Sequence, residues 1–273
     1  MDQRQQVAAV FDAAAQSYDM VGVEFFQPIA ARLVTELAPV AGQRVLDIGC
    51  GRGAVLLRLA NAVGDTGEAT GLDLAPAMVA AAAGEAQQAG LRVKLLVGDA
   101  QEPDLPAGFF DAVTASLVLF FLPDPAAAVR AWRNLLVVGG DIAVSTFGDY
   151  TPGWKQVDEV FDPFLPPGMR DARTSGKQGL FATDDGVEQL LTDAGLTAVR
   201  TVRDVVLVRF DSAEHWHRWT MSTGQRFFWQ LVPDANREQV QARAYAAVEA
   251  TRERNPDGRI GFDQQVRYTL GKR

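Results

Sequence analysis

The first feature with chemical meaning is an acid followed by three alternating glycines. Asp47 lies in the apolar run Val45-Leu46-Asp47-Ile48, and Gly49, Cys50, Gly51, Arg52 and Gly53 follow directly. Glycines let a backbone turn sharply and approach a ligand closely, and a helix that starts there points its first N–H groups at an anion. Asp47 adds the opposite charge, suited to an ammonium group. Together these residues read as a pocket for the zwitterionic end of an amino acid. The rival reading is a dinucleotide loop, because Gly49, Gly51 and Ala54 match the looser Gly-x-Gly-x-x-Gly/Ala pattern. Asp47 argues against it, since a carboxylate there would repel a pyrophosphate.

Two further acids repeat the arrangement. Asp73 closes Gly71-Leu72-Asp73, where a carboxylate can accept hydrogen bonds from both hydroxyls of a ribose, with Leu74 and Met78 placed to flank a base. A third run ends in Val97-Gly98-Asp99-Ala100, where Asp99 suits an exocyclic amino group and the Ala100 N–H a ring nitrogen. An acid at a strand end also caps turns, and that is the competing role for Asp99. Cys50 reads as a small turn residue, because nothing nearby in sequence supplies a base to activate its thiol.

Elements of a parallel sheet must position these acids. Short apolar runs predict strands over Arg44–Ile48, Ala69–Leu72, Val93–Val97, Phe110–Ala115 and Asp141–Phe147, alternating with helical patterns. One helix starts near Pro76 and stops at Gly90; another runs from about Pro125 to Val138, before Gly139-Gly140. Upstream, Gln3–Gln16 and Pro28–Leu37 read as helices that cover the sheet. Downstream, Asp149–Leu180 is rich in Gly and Pro and is expected to be an irregular excursion over the active face. A capped helix over Thr183–Ala194 and extended chain over Thr197–Phe210 follow, and Val266–Leu270 alternates like a last edge strand. The aromatic helical segment between those two strands predicts a cap: residues 211–256 as substrate cap, 1–210 and 257–273 as core.

Composition narrows the partners. At 273 residues the chain can bury a substantial core without staples. One cysteine precludes an intrachain disulfide framework, and the opening Met-Asp-Gln-Arg-Gln-Gln leads into no long apolar stretch, so a cytoplasmic protein without membrane insertion is expected. A net charge of −8 and a pI near 4.9 disfavour nucleic acid as a partner. No metal site and no oligomeric state is read from the chain.

From Phe11 to Phe147 these motifs resemble class I methyltransferases, particularly the ubiquinone and menaquinone branch and bacterial small-molecule enzymes. The resemblance implies S-adenosyl-L-methionine as cofactor. It also implies an α/β, Rossmann-like, seven-stranded sheet with helices on both faces and a reversed final hairpin. Tyr18, Phe25, Gly49, Cys50, Gly51, Ser116 and Leu117 then join Asp47, Asp73, Leu74, Met78, Asp99 and Ala100 as the cofactor-binding set, with the Tyr18-Asp19 and Phe25 region closing over the methionine end. One departure is Leu136-Val137-Val138-Gly139-Gly140, where relatives carry a basic residue and a proline before the paired glycines.

The acceptor side is less legible. After the fourth strand the chain reads Ser116-Leu117-Val118-Leu119-Phe120-Phe121, without the Asn or Asp and Pro-Pro of amino-methylating enzymes that act on DNA bases, and without a Pro-Cys nucleophile. Oxygen or carbon of a small, mainly apolar, aromatic or polyketide-like molecule is the expected acceptor, with oxygen favoured. The alternatives are methylation of a ring or prenyl carbon, or a non-methylating protein on the same fold. The two histidines lie in Glu214-His215-Trp216-His217-Arg218-Trp219. At about 100° per residue His215 shares a face with Trp216 and Trp219, while His217 points nearly opposite. His215 is therefore the candidate general base, and Trp216 and Trp219 are candidates to line the acceptor cavity.

Overall fold

The computed structural model describes residues 3–149, 151–165 and 179–273, with side chains from Val7 onward. Seven strands form one mixed sheet: β1 (Arg44–Ile48), β2 (Glu68–Asp73), β3 (Lys94–Val97), β4 (Phe110–Ser116), β5 (Leu136–Phe147), β6 (Thr197–Phe210) and β7 (Ile260–Lys272). Their order is β3-β2-β1-β4-β5-β7-β6, with β7 antiparallel to both neighbours and the first five strands parallel. The order reverses between β1 and β4, and a crevice opens at the carboxyl ends of the strands there.

Side chains alternate across the sheet with a period of two, and the two cores follow from that. Val45, Ala112 and Ala143 face one side, against helices α2 (Phe26–Leu37) and α3 (Leu56–Val63). Leu46, Ile48, Val113, Ile142 and Val144 face the other, with Val129 and Trp132 of α5 (Pro125–Leu135) and Leu190 and Leu191 of the helix Asp184–Asp193. Asp47 therefore points to the same side as Val45. Helix starts follow local chemistry: Asp124 accepts the Ala127 N–H at 2.9 Å and Thr183 the Gly186 N–H at 3.1 Å. Helix α1 (Gln3–Ala14) packs on α4 (Pro76–Gln88), and the chain between α1 and α2 crosses the open end of the sheet.

Several boundaries differ from the sequence reading. The helix expected to reach Val138 ends at Leu135, because Leu136 turns extended and pairs with Phe110 on β4, leaving Val138 89% exposed. The run expected as an edge strand is central: β7 lies between β5 and β6 and is buried over most of its length, while β6 forms the edge. The excursion from Asp149 is partly regular, with a helix over Pro152–Asp158 and a short 3-10 turn over Asp162–Phe164; Tyr150 and residues 166–178 lie outside the described residues. Between β6 and β7 the chain forms helices Ala213–Met221, Arg226–Gln230 and Arg237–Glu249. Among the described residues, no helix is long and apolar enough to cross a membrane.

Candidate active site

The turn after β1 opens the larger cavity. Gly49, Gly51 and Gly53 all have positive φ, a region that costs L side chains energy. A Cβ on Gly49 would lie 2.4 Å from the Val118 side chain, whereas one on Gly51 would meet nothing within 4 Å. Gly49 is thus needed for close packing under the loop, and Gly51 leaves open space above it. The cavity there is about 310 Å³. Every residue of the expected cofactor-binding set except Phe25 lines it: Tyr18, Asp47, Gly49, Cys50, Gly51, Asp73, Leu74, Met78, Asp99, Ala100, Ser116 and Leu117.

Electrostatics divide the cavity into two parts. Asp47 is 2% exposed, and its Oδ1 accepts the Thr114 hydroxyl at 2.8 Å. Burial pushes its pKa up to about 7, against the lowering effect of that hydrogen bond. A buried carboxylate in that state gains most from a cationic partner. Asp73 is also raised by burial, although both its oxygens accept backbone N–H groups, from Gly51 at 2.8 Å and Ala75 at 2.9 Å. Asp99 caps its own turn by accepting the Gln101 N–H at 2.8 Å while lining the cavity. Asp47 and the glycine turn would hold the zwitterionic end expected of S-adenosylmethionine, and Asp73, Leu74, Met78 and Asp99, which line the same cavity, its nucleoside. Burial, with Asp47 and Asp73 close by, raises the Cys50 thiol well above its ordinary pKa, so the sulfur stays protonated.

Of the rest of this wall, sequence reasoning named Asp19 only as part of the Tyr18-Asp19 segment and missed Arg52, Phe11 and Phe26. Asp19 lines the cavity with φ 58°, and burial raises its pKa to about 6; its Oδ1 is buried without a hydrogen-bond partner. Arg52 lines it too, and bonds the Ala15 carbonyl and the Glu85 carboxylate. Arg52 sits inside the glycine motif, which was the available signal. Phe11 and Phe26 carry no such signal, because their position depends on how α1 and α2 fold back over the sheet.

A second cavity of about 210 Å³ adjoins the first. Phe11, Tyr18, Phe26, Leu117 and Phe121 line both, so these side chains mark the boundary between them. Leu117 itself is held at φ 58°, with its N–H bonded to the Ser145 carbonyl on β5. Phe25, Phe147, Trp154, Trp219 and Phe228 supply most of the remaining wall, and Asp158, Thr223, Gln225 and Gln264 its polar groups. Trp219 therefore lines this cavity, as does Phe25, which had been placed in the cofactor set. Trp216 does not: it is buried among Trp229 and Tyr245.

The histidines are elsewhere. His215 is 7% exposed and lines neither cavity. Its Nε2 is 2.7 Å from the Val21 carbonyl oxygen, and its Nδ1 is 3.3 Å from the Asp211 N–H nitrogen and 3.3 Å from the Asp211 carboxylate. Both ring nitrogens are thus engaged by the protein, which is a different placement from the general-base position expected for it. His217 packs tilted against Trp229 with ring centroids 4.4 Å apart and Nδ1 3.1 Å from the Tyr245 hydroxyl, and burial lowers its pKa. Helical spacing set His217 nearly opposite the Trp216 and Trp219 face, yet His217 meets Trp229 and Tyr245, the same rings that Trp216 meets, so the spacing carries no information on which groups each residue meets.

Comparison with known proteins agrees with this geometry. Residues 45–140 match the family model described as a methyltransferase domain. The chain is 39% identical over 245 residues to nocamycin O-methyltransferase of Saccharothrix syringae, covering 85% of this chain and 87% of that protein. It is 46% identical over 165 residues to aklanonic acid methyltransferase DauC of a Streptomyces species (strain C5), covering 60% of this chain and 71% of the relative. In fold it is similar to the YcgJ protein of Bacillus subtilis, with a TM-score of 0.60 at 18% identity over 90% of this chain and 98% of that one. With the sheet order, the glycine turn and this extent of shared sequence in agreement, the chain belongs to the class I S-adenosylmethionine-dependent methyltransferases.

Proposed function

We propose that this enzyme transfers the methyl group of S-adenosylmethionine to an oxygen atom of a small, mainly apolar acceptor bound in the aromatic cavity. The observation that carries this reading is the shared wall: Phe11, Tyr18, Phe26, Leu117 and Phe121 border both cavities, so an acceptor packed among the rings abuts the cofactor. The relative named nocamycin O-methyltransferase supports an oxygen acceptor, and the one named aklanonic acid methyltransferase a small organic acceptor.

When bound, S-adenosylmethionine supplies a methyl carbon activated by the adjacent sulfonium. The protein's part is alignment and exclusion of water. Asp47 and the Gly49–Gly53 turn would hold one end of the cofactor and Asp73 the other. Aromatic rings hold an apolar acceptor by area burial and keep water from the reacting atoms. Residues 211–256 act as the acceptor cap, with Trp219, Thr223, Gln225 and Phe228 reaching its cavity. Burial, followed by the charges of Asp19 and Asp73, raises the Tyr18 hydroxyl pKa, so this residue serves as a neutral wall and hydrogen-bonding group.

The test is to incubate the enzyme with S-adenosylmethionine labelled in the methyl carbon and a panel of aromatic acceptors bearing hydroxyl, carboxyl or only ring carbons. Product is read by mass spectrometry and by the carbon chemical shift of the new methyl group. Labelled O-methyl product is expected. A label found only on carbon would replace the oxygen reading with the carbon one, and cofactor binding without transfer to any member would remove the proposed acceptor class.

A further inference from the structure

The end of α1 and the segment that follows it are tied down at four points, by α4, by the glycine turn and by two helices of the 211–256 region. The Asp12 carboxylate accepts the Ala77 N–H at 2.8 Å, at the start of α4. Arg226 of the cap donates to the Ala13 carbonyl at 3.0 Å, and Arg52 of the glycine turn donates to the Ala15 carbonyl. The fourth tie is His215 to Val21, across 194 positions of sequence. Phe11, Tyr18 and Phe26, which wall both cavities, and Phe25, which walls the acceptor cavity, flank these ties.

We infer that His215 is a positioning residue that latches this segment to the cap, so that the wall between the cofactor and acceptor cavities is held by both. A carbonyl oxygen can only accept, so His215 Nε2 must carry the proton and donate it to Val21. In the neutral ring, Nδ1 then accepts the Asp211 N–H; in the protonated ring, it faces the Asp211 carboxylate. In neither state does a ring nitrogen offer a lone pair to a bound acceptor. The ring lies edge-on to Phe210 at 6.0 Å, and the Ser212 hydroxyl caps the helix by accepting the His215 backbone N–H. One helical turn further on, Trp219 lines the acceptor cavity and meets Phe25 edge-on at 5.3 Å. The two residues on one face of helix Ala213–Met221 thus grip the segment at Val21 and Phe25, and any movement of the helix is passed to the wall of both cavities.

The discriminating pair is His215→Ala and His215→Gln in the full chain. A glutamine amide can donate to the Val21 carbonyl but cannot serve as a base. With a latch, His215→Ala lowers kcat/KM by about 3- to 10-fold, the range of one lost hydrogen bond, and speeds amide hydrogen exchange over residues 15–25. His215→Gln restores both to within about twofold, with the pH profile unchanged. A general base predicts that both variants lose about 10²–10⁴-fold and the acidic limb of the profile, with exchange over 15–25 unaltered; that result overturns the latch. Because the exchange measurement and the affinity for S-adenosylhomocysteine need no acceptor, unchanged exchange in a folded His215→Ala protein also overturns it, whatever the acceptor proves to be.

Discussion

Thr114 on β4 faces Asp47 on β1 in register, and its hydroxyl donates 2.8 Å to the buried Asp47 carboxylate. Neutral donors, the Thr114 hydroxyl and the Leu56 backbone N–H, offset little of the cost of burying a charge, and burial pushes the Asp47 pKa up to about 7. A carboxyl group with a raised folded-state pKa binds its proton more tightly folded than unfolded. Its contribution therefore favours folding at low pH and is lost as pH rises from about 4 to about 7. The stability difference between wild type and Asp47→Asn, measured without ligand, is expected to shrink or reverse sign toward the mutant across that window. The rise in melting temperature produced by S-adenosylhomocysteine should grow over the same window in the wild type alone, because the ionised carboxylate pairs with the ligand's ammonium. A pH-independent difference would mean that Asp47 keeps an ordinary pKa.

Asp73 holds the Gly51 and Ala75 N–H groups with its two oxygens, so it shapes the turn as well as facing the cavity. Asp73→Ala should weaken S-adenosylhomocysteine binding by about 1.5–3 kcal/mol for each charged hydrogen bond lost. Calorimetric titration measures it. Asp73→Asn, which keeps one acceptor oxygen, should fall between the two. NAD should leave the melting temperature of the wild type unchanged, since its pyrophosphate would meet the Asp47 side of the turn; a stabilisation by NAD larger than that by S-adenosylhomocysteine would contradict the site as drawn.

Gly49 tests the packing beneath the turn. Alanine there adds a Cβ 2.4 Å from Val118 on a backbone at φ 66°. Gly49→Ala is expected to cost about 1–3 kcal/mol from crowding and a further amount from the strained φ. Val118→Ala should recover the crowding part and leave the rest, so a double-mutant cycle by denaturant unfolding separates the two. Additive effects would show that Val118 moves aside without cost.

Trp216 and Trp219 are both buried and three residues apart, but only Trp219 lines the acceptor cavity. Trp216→Phe and Trp219→Phe should each lower stability, while only Trp219→Phe should raise the KM for the acceptor by several-fold at unchanged cofactor affinity. Equal KM values in steady-state assays would show that the acceptor does not reach Trp219.

The sequence by itself determined the parts whose chemistry is local. An acid, three alternating glycines and two more acids, each at the end of an apolar run, were legible because a parallel sheet brings successive strand ends to one edge. Asp47, Asp73 and Asp99 then line one cavity. Strand runs such as Arg44–Ile48 were legible for the same reason, since their pattern depends on a few adjacent residues. Leu136–Val138 was misread because an apolar run after a helix fits either state, and only pairing with Phe110 decides it. Val266–Leu270 was read correctly as strand, but its central place arises from contacts with β5 and β6, which are distant in sequence. The aromatic cavity and the placement of His215 were decided by tertiary structure alone. Phe11, Phe25, Trp154, Trp219 and Gln264 come from separate elements, and periodicity identifies a buried face without naming what packs against it. His215 meets Val21 only because the cap folds back onto the segment before α2, so the hydrogen bond that occupies its ring nitrogen has no trace in the local sequence.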